Sequence, residues 1–229
     1  MRALSVASAE AKDIPSEPYV ARATTLKLDR DWHVPCVEVT LKGKTPHRVA
    51  IVVADGGRTA AESLVGDLLN EDHRVMVMDM LFTGECVPGK GFAAWTYAML
   101  VANSGERPLG LQVAQVMAVV DYAARTSPGR PITVAGAGRV ASVVAVLAAA
   151  LAERNRPQLV IARGLPASLK QLIEKRIGYT AAAPLFCFGL LREVDVCEML
   201  AMALPAKLKL TDVEGGADRI HKALSPFMP

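Results

Sequence analysis

The stretch RPITVAGAGRVASVVAVLAAALAE, Arg130 to Glu153, constrains the fold of this chain more than any other feature. It begins with a short apolar run, Ile132 to Ala135, which predicts a buried strand. A tight turn with Gly136 and Gly138 follows, and a long apolar run then predicts a helix. A strand that enters a helix through a glycine turn is typical of a βαβ unit, in which the strand belongs to a mostly parallel sheet.

The same alternation of strands and helices extends along most of the chain. Apolar runs predict buried strands at 49–54 and 73–79. Further strands are predicted at 158–163 and 207–210, and helices over 59–69 and 109–125. Before them, alternating apolar residues from Thr24 to Leu28 and from Val37 to Leu41 predict an antiparallel strand pair. The sequence therefore predicts an α/β fold: a three-layer sandwich with a mostly parallel sheet and a leading antiparallel hairpin.

Composition agrees with this fold and excludes several classes of partner. The chain is 52% hydrophobic and 5% aromatic, which suits helices packed closely on a buried sheet. Its net charge of +3, with Lys and Arg scattered, argues against nucleic acid. The longest apolar run, 140–152, is about half of what a bilayer requires, so no membrane is expected. No metal is expected either, because the cysteines lack the spacing of zinc ligands or of a disulfide framework: Cys36, Cys86, Cys187 and Cys197.

The two ends of the chain carry weaker patterns. Residues 1–20 are polar and contain prolines, which predicts a linker-like segment ahead of a single domain over 21–229. This segment has no apolar core of the kind found in secretory signal peptides, and the compartment stays unassigned. After the strand at 207–210 the sequence offers one short helix, so we expect the domain to be shortened at its C-terminal end.

The glycine turn is compatible with two kinds of chemistry. Gly136, Gly138 and Ala141 match G-x-G-x-x-A, whose helix N-terminus cradles the pyrophosphate of a dinucleotide. The fingerprint also expects a carboxylate at the end of the next strand, where this chain has Arg163. Alternatively, the turn is the strand-to-helix elbow G-x-S-x-G, which carries a nucleophilic serine. In that interpretation the serine position is Gly138, which supplies no oxygen.

The other parts of a hydrolytic site can be sought in chain order after the elbow. The acid position falls near Asp212, with Glu214 as an alternative, and His221 is the last histidine in the chain. Ser142 is the nearest hydroxyl to the turn, although one turn into a helix such a group more often bonds the helix backbone. An oxyanion hole would draw its backbone N–H donors from the loop after the first buried strand and from the residue after the elbow: Asp55, Gly56, Gly57 and Arg139.

Six phrases, taken in order, resemble the acetyl xylan esterase-like branch of the α/β-hydrolases: VADGGR, VMVMDMLFTGE, ERPLGLQVAQV, ITVAGAGRVASVVAVLAAAL, ARGLPASLKQLIE and PLFCFGLLREVDV. The resemblance is greatest to the second hydrolase-like module of proteins that carry two in tandem, and it covers the chain from about Trp32 onward. It implies a Ser, Asp and His triad and no cofactor. Carried over, the nucleophile falls on Gly138, the oxyanion loop on Asp55 to Gly57, the acid near Asp212, and the histidine on no residue.

These observations lead to three functional hypotheses. The first is a degenerate, non-catalytic α/β-hydrolase-like module that accompanies another hydrolase domain of a longer protein. The second is an active esterase or deacetylase on acylated carbohydrate with an unorthodox or shared site, and the third is a dinucleotide-binding domain. Four residues on or after the loop that follows the second buried strand are candidates for contacts with a carbohydrate ester: Asp79, Thr83, Glu85 and Trp95.

Overall fold

A computed structural model describes residues 3–29, 32–89, 93–216, 218 and 220. Within these ranges the chain forms an α/β structure around one eight-stranded sheet, with the spatial order β1-β2-β3-β5-β4-β6-β7-β8. The strands are β1 (Val6–Ile14), β2 (Tyr19–Leu28), β3 (Trp32–Leu41), β4 (Arg48–Ala54), β5 (His73–Met78), β6 (Ile132–Ala137), β7 (Leu159–Arg163) and β8 (Lys207–Thr211).

The sheet is parallel from β5 through β4, β6 and β7 to β8. At its other side β1, β2 and β3 form an antiparallel meander, and β3 pairs antiparallel with β5. The predicted leading hairpin is therefore confirmed as β2 and β3. The central strands read as continuous apolar runs because both of their faces are covered; in β4 every residue after Arg48 is buried.

Helices cover both faces of the sheet and produce the predicted three layers. Along β4, Ala50 and Val52 face the core formed with helix α1, while Ile51 and Val53 face the larger core formed with α3, α4 and α8. No helix within the described ranges is both long and apolar enough to cross a membrane. The helices are α1 (Glu62–Asn70), α2 (Ala94–Asn103), α3 (Pro108–Thr126), α4 (Arg139–Ala150), α5 (Gln171–Glu174), α6 (Tyr179–Ala182), α7 (Leu190–Glu193) and α8 (Val196–Ala203).

The N-terminal segment differs from the linker-like prediction for residues 1–20. Residues 6–14 form β1, which pairs with β2 along its length, and Leu4 is buried in the core. All residues of β1 except Val6 are exposed, so its sequence lacks the apolar alternation that identifies a strand. An edge strand held by backbone hydrogen bonds gives little signal in the side-chain pattern.

Candidate functional site

The candidate site lies at the carboxyl ends of the parallel strands, the edge where open α/β sheets bind ligands. The loops after β4 and β5 and the turn between β6 and α4 meet there. Gly136 allows this turn to be tight, because a Cβ at this position would lie 2.6 Å from the Ala141 carbonyl carbon. The close approach of β6 to α4 thus explains the first glycine of the motif without any ligand.

Gly138, the predicted nucleophile position, has a backbone conformation that suits glycine alone. Its φ of 108° and ψ of 171° lie in a region that residues with a Cβ avoid. A Cβ built there would also lie 2.5 Å from Asp55 Oδ2. The space that a nucleophilic side chain would need at the turn is therefore filled by the Asp55 carboxylate.

Asp55 follows β4 directly and reaches the N-terminus of α4. Its Oδ1 accepts a hydrogen bond from the Ala141 amide at 2.7 Å, and its Oδ2 accepts one from the Val140 amide at 3.2 Å. Burial raises the pKa of Asp55 above its usual value, while the amides of residues 139–141 oppose that rise. Two first-turn amides that would hold a dinucleotide phosphate thus hold a carboxylate of the chain itself.

The predicted oxyanion loop is tied internally. The Asp55 amide donates to the Ala137 carbonyl and the Gly57 amide to the Ala54 carbonyl, each at 3.0 Å. Gly57 has a φ of 79°, and a Cβ there would lie 2.5 Å from the Cα of Gly84. Gly56 is also tight, since its Cβ would lie 2.8 Å from the Ala60 Cβ. These glycines have a packing role in the turn.

Arg139, whose amide was the other predicted donor, directs its side chain to the loop after β8. Its Nε and Nη2 pair with both carboxylate oxygens of Glu214 at 2.9 to 3.0 Å. Glu214, the alternative acid, is thus engaged with an arginine. Asp212 is exposed and has a φ of 54°. His221 lies outside the described residues.

Ser142 lies inside α4 and does not face the site. The residue is fully buried, and its hydroxyl donates to the Arg139 carbonyl at 3.2 Å. This is the helix back-bonding expected of a serine at that position. Its burial separates the hydroxyl from any substrate in solution.

Two of the four predicted substrate-loop residues are held in an ionic cluster that fixes the loops. Asp79 is 1% exposed and pairs with Arg58 Nε at 3.0 Å, and it accepts hydrogen bonds from the Arg58 amide at 2.7 Å and the Glu85 amide at 3.0 Å. Glu85 also pairs with the Arg58 guanidinium. Sequence analysis missed Arg58, which follows the DGG triplet and joins the two loops.

The other two predicted residues, Thr83 and Trp95, line a cleft of about 200 Å³ beside Asp55. Sequence analysis missed Gln112, which lies on the same wall and is 1% exposed. Its Nε2 donates to the Leu81 carbonyl at 2.7 Å, whereas its Oε1 has no hydrogen-bond partner among the described residues. The sequence signal that could have identified Gln112 is a polar glutamine on the buried face of α3. The cleft is completed by Phe82, Ala94, Ala98, Val140 and residues 180–184.

No model of a known protein family matches the chain, and no curated protein sequence does. Solved structures match closely in fold. A candidate acetyl xylan esterase from Bacteroides fragilis NCTC 9343 gives a TM-score of 0.72 at 12% identity, over 96% of this chain and 67% of its own. The acetyl xylan esterase from Paenibacillus sp. R4 gives 0.58 at 15% identity over the same shares. A glucuronoyl esterase from Solibacter usitatus gives 0.62 at 13% identity, over 98% of this chain and 72% of its own.

These similarities define the fold as that of the α/β-hydrolase esterases. The chain spans about two thirds of the length of the first two structures. At 12–15% identity the likeness concerns the fold, and the function has to be argued from the site.

Proposed function

We propose that this chain is a non-catalytic module of α/β-hydrolase fold, related to carbohydrate esterases, that accompanies a hydrolase domain of a longer protein. One observation carries the proposal. The Asp55 carboxylate lies over Gly138 and is hydrogen-bonded to the first-turn amides of α4. It takes up the position of a nucleophile side chain and places a carboxylate at the turn.

The chemistry of acyl transfer explains why this arrangement opposes catalysis. A covalent mechanism needs an activated nucleophile, and Gly138 has none to offer. The tetrahedral intermediate then needs hydrogen-bond donors around its developing negative oxygen. At this turn the developing negative oxygen would meet the Asp55 carboxylate, because that carboxylate lies over Gly138. Both requirements therefore fail at the same place.

The accessory role is supported by the fold and by the cleft beside Asp55. The matched structures are named as carbohydrate esterases, which supports descent from an enzyme of that kind. A cleft persists at the edge of the sheet, with Trp95 on its wall.

The proposal is tested with p-nitrophenyl acetate, an activated acetyl ester. We expect the chain to release p-nitrophenol at the rate of the buffer blank, with Asp55→Ala giving the same rate. Turnover by the unmodified chain that disappears in Asp55→Ala would contradict the proposal and favour an esterase in which Asp55 does the chemistry. Ser142→Ala is the matched control for a side reaction of the hydroxyl nearest the turn.

A further inference from the structure

Three polar side chains of the cleft offer hydrogen-bond acceptors: those of Asp55, Thr83 and Gln112. Thr83 already donates its hydroxyl hydrogen to the Met80 carbonyl at 2.9 Å, so its oxygen is left as an acceptor. Asp55 contributes a carboxylate and Gln112 an amide oxygen. A ligand that satisfies this set has to bring hydrogen-bond donors.

Gln112 gives independent evidence that the cleft is built for a donor. Its Nε2 faces the Leu81 carbonyl, which can only accept, so the orientation of the amide is fixed. Its Oε1 is then a buried acceptor without a partner among the described residues. Such a group is costly to leave unpaired, and buried polar atoms in native proteins nearly always have a partner.

The charge around the cleft favours a cation over a neutral donor. Within the described ranges no Lys or Arg forms an ion pair with Asp55, and its two amide bonds use about half of the lone pairs of a carboxylate. The nearby arginines are already neutralised. Arg139 pairs with Glu214, and Arg58 pairs with both Asp79 and Glu85.

The walls of the cleft set the size and the apolar part of the ligand. Trp95 is partly exposed on one side, and an indole face attracts organic cations. The volume of about 200 Å³ is somewhat larger than a cavity that holds benzene. A ligand with one ring and one charged group fits this space.

We infer that the cleft binds a small organic ammonium ion, whose N–H groups donate to the Asp55 carboxylate and to Gln112 Oε1 while its carbon skeleton packs on Trp95. The polarity is the reverse of an oxyanion hole, which offers donors to a negative oxygen. The inference rests on the proposed function in that Asp55 remains in the cleft in place of a nucleophile. If the chain hydrolyses an ester and still binds the ammonium ion, only the proposed function is overturned. If the chain neither hydrolyses an ester nor binds the ammonium ion, only this inference is overturned.

The test uses isothermal titration calorimetry of the full chain with three probes of one-ring size. Benzylamine, protonated at pH 7, is expected to bind. Benzyl alcohol has the same skeleton without the charge and is expected to bind at least tenfold more weakly, since hydrogen bonds to charged groups contribute about 1.5–3 kcal/mol. Methyl glucoside, a neutral polyol, is expected to be as weak as the alcohol. Equal binding of the alcohol, preference for the glucoside, or no benzylamine binding at millimolar concentration would each overturn the inference.

Variants locate the binding to the cleft. Asp55→Asn and Gln112→Met are each expected to weaken benzylamine by roughly tenfold, because each removes one acceptor. Asp212→Asn is the matched control: it removes an exposed carboxylate at the same edge of the sheet, and asparagine tolerates the positive φ there. Circular dichroism verifies that each variant is folded, and Gln112→Met tests the site if Asp55→Asn is not. If a folded Asp55→Asn or Gln112→Met variant bound benzylamine as tightly as Asp212→Asn does, the assignment of the binding site to the cleft would be overturned.

Discussion

At the scale of single residues, Gly138 and Asp55 account for each other. The glycine has a conformation closed to other residues, and the space above it is filled by the carboxylate. The Asp55 carboxylate in turn accepts hydrogen bonds from first-turn amides of α4, which have no partner within the helix. The glycine at 138 and the carboxylate of Asp55 therefore depend on each other for their conformations.

Gly138→Ala is predicted to destabilise the chain more than a glycine substitution without steric conflict. Gly105 is the matched control, since it has a φ of +91° but open space around its Cα. Both variants carry the strain of a positive φ, and only Gly138→Ala adds an overlap with Asp55. We expect its free energy of unfolding, from urea titration, to fall by about 1–3 kcal/mol more than that of Gly105→Ala. Equal losses would contradict the packing described for the turn.

The sequence could predict the position of the turn but not its occupant. Local periodicity and two glycines identify a strand-turn-helix unit at 132–150. The direction of the Asp55 side chain depends on how β4 and β6 lie side by side in the sheet, which local sequence patterns do not determine. The same holds for the pairing of Arg139 with Glu214 and for the unpartnered oxygen of Gln112.

At the scale of elements, the β-strands that are buried on both faces were the most predictable. β4 through β8 lie within a residue or two of their predicted bounds. In β4 to β7 burial imposes apolar runs, whereas β8 is an edge strand whose residues are exposed or partly buried. β1 was missed because its side chains are exposed. Between elements, the clearest polar link outside the site is His73, which opens β5.

His73 joins α1 to β6. The Leu68 carbonyl accepts from Nδ1 at 3.1 Å, so Nδ1 carries the proton, and Nε2 accepts from the Thr133 hydroxyl at 3.3 Å. The imidazole is buried, which lowers its pKa. In the unfolded chain, His73 has a pKa of about 6.5, so below that pH it is protonated there, while in the folded chain it stays neutral to a lower pH. Stability from the neutral ring is full above that pH and is lost as the pH falls through the lower, folded-state pKa.

We predict that the free energy of unfolding of the unmodified chain falls between pH 7 and pH 5, with His73 contributing a slope of at most about 1.4 kcal/mol per pH unit. His73→Leu removes this contribution, so its pH dependence should be shallower. His33→Leu is the control, because His33 is exposed on β3 and should leave the slope unchanged. Urea titrations at several pH values make the comparison. Parallel profiles for His73→Leu and the unmodified chain would refute the assignment.

At the scale of the whole molecule, a fold like that of solved esterases surrounds the cleft beside Asp55. The eight-stranded sheet and its two helical layers match solved esterases over nearly all of this chain. The loops at the carboxyl edge keep a cleft, while Arg58, Asp79 and Glu85 hold them in place by ionic pairs. A common fold carries different chemistry in many protein families.

If the turn at Gly138 presents no nucleophile, a reagent that labels activated serines should leave the chain unlabelled. A fluorophosphonate reacts with the activated serine of esterases, and an active α/β-hydrolase treated in parallel serves as the positive control. Mass spectrometry of the intact chain after incubation is predicted to give the unmodified mass. Addition of one phosphonyl group, mapped by peptide analysis to a residue lining the cleft beside Asp55, would contradict the account.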